Sequence, residues 1–176
     1  MTKLDKAIKA VYQRDQKSIL RLIDGGFNVN ESDRDGRPIL THAVLSHTPD
    51  VKLIEFLLIS GADVDWQDTE GWTPLHYASQ ANNTDLVQLL IKHKAQIDAD
   101  DLFGNTPLYK AVFHCRGKDD VIRLLIDSGA DPDKKNKHGV SPRDLANKIA
   151  NFDVSHCFAK TRNSKAASRR TIRKKK

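Results

Sequence analysis

The sequence predicts an all-α solenoid in which helix-turn-helix units stack side by side, joined by hairpin-like loops. Two observations predict it. Four segments superpose, at 35–44 (DGRPILTHAV), 70–79 (EGWTPLHYAS), 103–112 (FGNTPLYKAV) and 138–147 (HGVSPRDLAN), and their glycines Gly36, Gly71, Gly104 and Gly139 are spaced by 35, 33 and 35 residues. A second frame lies just upstream, at 23–30, 58–65, 91–98 and 126–133, where Gly26, Gly61, Lys94 and Gly129 each precede the next repeat's glycine by 10 residues. A fixed period of this size marks a repeat architecture, whose units bury their apolar faces only by stacking on neighbours.

The elements follow in chain order. Residues 1–32 read as an N-terminal cap that keeps only a helix pair, with the stripe Ile19, Leu22 and Ile23 marking its second helix. Repeats occupy 33–67, 68–100 and 101–135, and a C-terminal cap 136–158. In the second repeat, Thr73-Pro74 starts the first helix, because a Thr hydroxyl caps free amides and Pro is tolerated in the first turn. Leu75 and Ala78 then face inward. The second helices carry the i, i+3, i+4 stripe at Ile54, Leu57, Leu58, at Val87, Leu90, Ile91 and at Ile122, Leu125, Ile126. Gly61 and Gly129 fall just past these helices, where a left-handed residue ends a helix and Gly adopts it without strain; Lys94 is the exception. The 35-residue repeats fit with two residues inserted between Ala43 and Ile54, and again between Ala111 and Ile122, in the loop joining the helices.

On these residues the chain resembles the ankyrin-repeat family. Thr73-Pro74-Leu75-His76-Tyr77-Ala78 matches the family's T-P-L-H-x-A motif fully, and Thr106-Pro107-Leu108-Tyr109-Lys110-Ala111 matches with Tyr in place of His. Looser versions stand at Pro38-Ile39-Leu40-Thr41-His42-Ala43 and Ser141-Pro142-Arg143-Asp144-Leu145-Ala146. The resemblance implies a protein-binding scaffold with a concave face made of hairpin tips and first helices. It also implies that His76 is a structural histidine, bonded within and between repeats.

Repeat positions that packing leaves free are where contact with a partner is expected. From them Arg37, His42, Trp66, Glu70, Trp72, Tyr77, Phe103, Asn105 and Lys110 are the candidate partner-binding residues, and Leu45, Leu102 and Phe113 share the same kind of position. Trp66, Trp72, Tyr77 and Phe103 are expected to form an exposed aromatic patch. Trp, Tyr and Arg dominate the few interface residues worth about 2 kcal/mol or more each.

No glycine-rich phosphate loop, G-x-S-x-G or H-E-x-x-H occurs, so an enzyme is not expected, nor is a cofactor. The acidic run Asp98-Ala99-Asp100-Asp101 lacks the spacing of a calcium loop. Cys115 and Cys157 have no C-x-x-C spacing and read as reduced thiols. His114-Cys115 and His156-Cys157 form two adjacent pairs that could supply four metal ligands, but neighbours on a helix point about 100° apart, so no metal is expected.

The net charge of +6 hides two unlike parts. Residues 160–176 hold 9 of the 29 basic residues and none of the 23 acidic ones, leaving the rest with 20 against 23, a net of −3. The segment 159–176 is expected to be disordered when free. Its Arg169, Arg170, Arg173, Lys174, Lys175 and Lys176 are candidates for nucleic acid or an acidic partner, and in a eukaryote for a nuclear address. The charged first ten residues make a secretory signal unexpected, and no stretch approaches the roughly 20 apolar residues of a membrane span. The expectation is therefore a cytoplasmic protein, monomeric when free, that acts by occupying one partner protein, as an inhibitor, sequestering protein or toxin-neutralising immunity protein. The alternative is a nucleic-acid-associated regulator attached through its tail.

Overall fold

A computed structural model describes residues 1–148 and 153–161. The helices are α1 (Lys3–Tyr12), α2 (Gln16–Asp24), α3 (Ile39–Leu45), α4 (Val51–Ile59), α5 (Pro74–Gln80), α6 (Thr84–Lys92), α7 (Pro107–Phe113), α8 (Asp120–Asp127) and α9 (Pro142–Lys148), followed by a 3-10 helix at Ser155–Thr161. The first helices α1, α3, α5, α7 and α9 pack in one row, and α4, α6 and α8 stack beside it. Buried Ala10, Ala43, Ala78 and Ala111 let the first helices approach closely, while Ile19, Ile54, Leu57, Leu90 and Ile122 fill the space between helix pairs. No helix among the described residues is long and apolar enough to cross a membrane.

The helix starts behave as their residues dictate. Thr73 and Thr106 accept hydrogen bonds from the amides of His76 and Tyr109, with Pro74 and Pro107 in the first turn. Pro38 cannot cap in this way, and α3 begins without a side-chain cap. The loop joining α5 to α6 covers 81–83, whereas 46–50 and 114–119 join the helices of the longer repeats, so the extra residues lie where the period predicts.

The second helices end in a common left-handed residue. Gly26, Gly61 and Gly129 have φ of 80°, 93° and 101°, and Lys94 adopts 68° in the same place. Their amides return to the preceding turn, as in Gly61 N–H to Leu58 O at 3.1 Å and Lys94 N–H to Ile91 O at 2.9 Å.

Between helix pairs the chain makes tight turns that stack tip on tip. Leu102 N–H donates to Glu70 O at 3.1 Å, Thr69 N–H to Asp35 O at 3.0 Å and Lys137 N–H to Phe103 O at 2.9 Å. At Gly71, with φ of 74°, a Cβ would stand 2.9 Å from the backbone nitrogen of Leu102. Glycine is required there by the approach of the next turn as well as by conformation.

Candidate protein-binding face

Each turn is organised by one side chain three residues before its glycine, at Asp33, Asp68, Asp101 and Asn136. One oxygen of each accepts two amides of its own turn. Asp68 Oδ1 takes Glu70 and Trp72 N–H, both at 2.9 Å, and Asp101 Oδ1 takes Phe103 and Asn105 N–H, both at 2.8 Å. The other carboxylate oxygen reaches the residue nine positions on, in the first helix. His42 Nε2 lies 2.8 Å from Asp33, the Tyr77 hydroxyl donates to Asp68, and Lys110 Nζ lies 2.7 Å from Asp101.

Three of the predicted contact residues, His42, Tyr77 and Lys110, therefore occupy one register and are each tethered by a turn carboxylate. Burial opposes the charge on Asp101, but the Lys110 ammonium and the Asn105 donors outweigh it and hold that carboxyl below its usual range. Burial, followed by the bond to Asp68, pushes the Tyr77 phenol well above its usual range.

Trp72 links two of these tethers. Its ring stands 4.8 Å from that of Tyr77, and Lys110 Nζ lies 3.9 Å from its centroid, a cation–π contact. Arg37 extends the group, with Nε 3.6 Å from Asp68 and a guanidinium nitrogen 3.2 Å from Asp35. Glu70 is exposed at the tip of its turn.

Two expectations need correction. Trp66, Trp72 and Tyr77 are half-buried rather than an open aromatic patch, since Trp66 spends its indole N–H on Gly36 O at 2.8 Å and the other two stack on each other. Asn105 is buried, at 8% exposure. It shares a register with Arg37 and Trp72, but its short amide turns inward, donating to Asp101 at 3.1 Å and accepting from Asn136 at 2.8 Å. Its side chain is spent on the junction between repeats rather than held out to solvent.

Exposed apolar side chains stand at the ends of the first helices and at turn tips, and also on the second helices, at Leu20 and Ile59. Tyr12, Leu45, Gln80 and Phe113 are the last residues of α1, α3, α5 and α7. Tyr12, Leu45 and Phe113 are 54%, 40% and 60% exposed, and Phe103 at a turn tip is 51% exposed.

Away from this face, Asp119 brings together groups from two distant segments. His156 Nε2 lies 2.8 Å from Asp119 Oδ2, and Cys157 Sγ lies 3.5 Å from both. Arg123 also binds Asp119 Oδ2, at 2.7 Å, and with His156 holds that carboxyl well below its usual range. Burial, then the Asp119 charge, pushes the Cys157 thiol up to about 11. His114 does not join them; it faces Gln80 at 3.2 Å.

Comparison with known proteins fits this geometry. A family model for ankyrin repeats, in three copies, matches residues 46–136. The chain belongs to the ankyrin-repeat family. It is 34% identical to an ankyrin repeat protein of Rickettsia bellii, over 73% of this chain and 74% of that one. Similarity to an ankyrin repeat protein of variola virus is 33%, over 69% of this chain but 22% of the viral protein. It is 31% to serine/threonine-protein kinase 12 of Arabidopsis thaliana, over 63% of this chain and 23% of the kinase. Ankyrin repeats generally mediate protein–protein interaction and are generally not catalytic.

Within the ankyrin frame, His76 is the structural residue its motif implies. Its Nδ1 accepts from Thr73 N–H at 3.1 Å, and Nε2 faces Asn105 O of the next repeat at 3.0 Å. The turn carboxylates Asp33, Asp68 and Asp101 escaped the sequence reading, although their spacings of 35 and 33 residues repeat those of the glycines. Arg169, Arg170, Arg173, Lys174, Lys175 and Lys176 lie outside the described residues.

Proposed function

We propose that this ankyrin-repeat chain is a non-enzymatic module that occupies the surface of one partner protein, as an inhibitor or sequestering protein, of which an immunity protein is one form. The observation that carries this is the row of exposed apolar side chains, Tyr12, Leu45 and Phe113, at equivalent helix ends, with Phe103 exposed at a turn tip. Gln80 takes the corresponding place in the second repeat, and apolar and aromatic side chains recurring at one register of a repeat surface are suited to the core of a contact, with polar residues around them. Arg37, His42, Glu70, Trp72, Tyr77 and Lys110 supply the polar and aromatic surroundings. Because His42, Tyr77 and Lys110 are already tethered, little side-chain freedom is lost on contact, which favours affinity.

The test is affinity capture from the source cell with the intact chain, beside Leu45→Ser with Phe113→Ser and a chain lacking 160–176. One stoichiometric partner should bind the intact and shortened chains and be lost by the double variant, whose helical circular dichroism should be unchanged. Capture that survives the double substitution overturns the reading. Loss only on removing 160–176 favours attachment through the basic tail, which for nucleic acid brings a log–log salt slope of about −0.9 per phosphate neutralised.

A further inference from the structure

Asp119 departs from the pattern of the second helices. Asp15, Asp50 and Asn83, which precede α2, α4 and α6, each accept an amide of the helix they start, as N-caps do. Asp119 precedes α8 in the same way, yet makes no side-chain cap bond. Its carboxylate turns instead to Arg123, one turn on in α8, and to His156 and Cys157 of the 3-10 helix, 37 and 38 residues away.

The three side chains offer one oxygen, one nitrogen and one sulfur, all within 4.8 Å of one another. Four ligands set tetrahedrally at zinc's bond lengths stand about 3.3–3.8 Å apart. The sulfur already meets both neighbours at 3.5 Å, and the 2.8 Å from His156 to Asp119 needs only a small widening. Calcium and magnesium take oxygen ligands, so this mixed set selects a borderline-soft ion. The sulfur is buried while the imidazole is half exposed, which leaves a side open to solvent for a fourth ligand.

We propose that Asp119, His156 and Cys157 form a zinc site that fastens the C-terminal 3-10 helix to the start of α8, with water as the fourth ligand. The thiol releases its proton to solvent as it binds the metal. Arg123, which shares Asp119 Oδ2 with His156, moves to the other carboxylate oxygen and keeps the ligand oriented. Its positive charge weakens binding, so the affinity belongs in the micromolar range.

Titrating the reduced full-length chain with Zn2+ by calorimetry tests this. One equivalent should bind and raise the melting temperature, and His156→Ala and Cys157→Ser should each weaken binding by more than about tenfold. Co2+ in place of Zn2+ should give a thiolate charge-transfer absorption that Cys157→Ser abolishes. His156 is half exposed, so His156→Ala leaves the fold intact and remains decisive if loss of the buried thiol disturbs it. The control His47→Ala, at an exposed histidine elsewhere, should bind like the unaltered chain. Absence of binding up to about 100 µM Zn2+, or binding that survives both ligand substitutions, overturns the proposal.

Discussion

His76 sits inside the junction of the second and third repeats, where each ring nitrogen has one defined task. Accepting at Nδ1 and donating at Nε2 fixes the neutral tautomer, and burial is the main cause that lowers its pKa to about 4. Above pH 6.5 the ring is neutral folded or unfolded. As pH falls from 6.5 towards 4, the unfolded chain takes up a proton that the folded chain refuses, so this contribution to stability is progressively lost. The slope is at most about 1.4 kcal/mol per pH unit. His76→Gln should be less stable than the unaltered chain at pH 7, and urea denaturation should show that gap narrowing towards pH 4. A gap that stays constant or widens would show that His76 does not carry the linkage. Thr73, Pro74 and His76 were legible because one contiguous motif carries them. The bond between Tyr77 and Asp68 was not, because it spans nine residues and depends on a turn whose shape sequence periodicity does not encode.

Among the elements, the ends of the second helices and the turns put glycine to different uses. A Cβ added at Gly61 meets nothing within 4 Å, whereas one at Gly71 meets the backbone of Leu102 and Asp101. Gly61→Ala should therefore cost only the left-handed backbone term, about 1 kcal/mol. Gly71→Ala adds a clash that backbone alone can relieve, and should cost about 2 kcal/mol or more. Lys94 already bears the left-handed cost, so Lys94→Gly should stabilise by about 1 kcal/mol. Thermal melts of the three variants check the order, and a lower melting temperature for Lys94→Gly would refute the account of that site. Helix order, loop insertions and this left-handed position were readable because each recurs at a fixed interval. The inward turn of Asn105 was not legible because its register is long-armed in its neighbours Arg37 and Trp72, and only side-chain length sets it apart. Asp119, His156 and Cys157 were not readable as a set, since their convergence depends on how the final 3-10 helix docks after the last repeat.

For the whole molecule, the packing order implies that stability is shared between neighbours and little further. Ile54 in α4 and Ile122 in α8 are both fully buried, and α6 packs between their helices. In a solenoid the total is close to a sum of unit terms and nearest-neighbour interfaces. Ile54→Val and Ile122→Val should each cost about 0.5–1.5 kcal/mol, from a lost methylene and an incompletely refilled space. Standing on helices with α6 between them, the two should add to within about 0.5 kcal/mol in the double variant. Leu90 is fully buried in α6, the helix that packs on α4, so combining Ile54→Val with Leu90→Ala, on adjoining helices, should depart further from additivity. Urea unfolding of the single and double variants measures both sums. Strong coupling between positions 54 and 122 would mean that strain is transmitted through α6 as a rigid body, and the nearest-neighbour description would have to be abandoned.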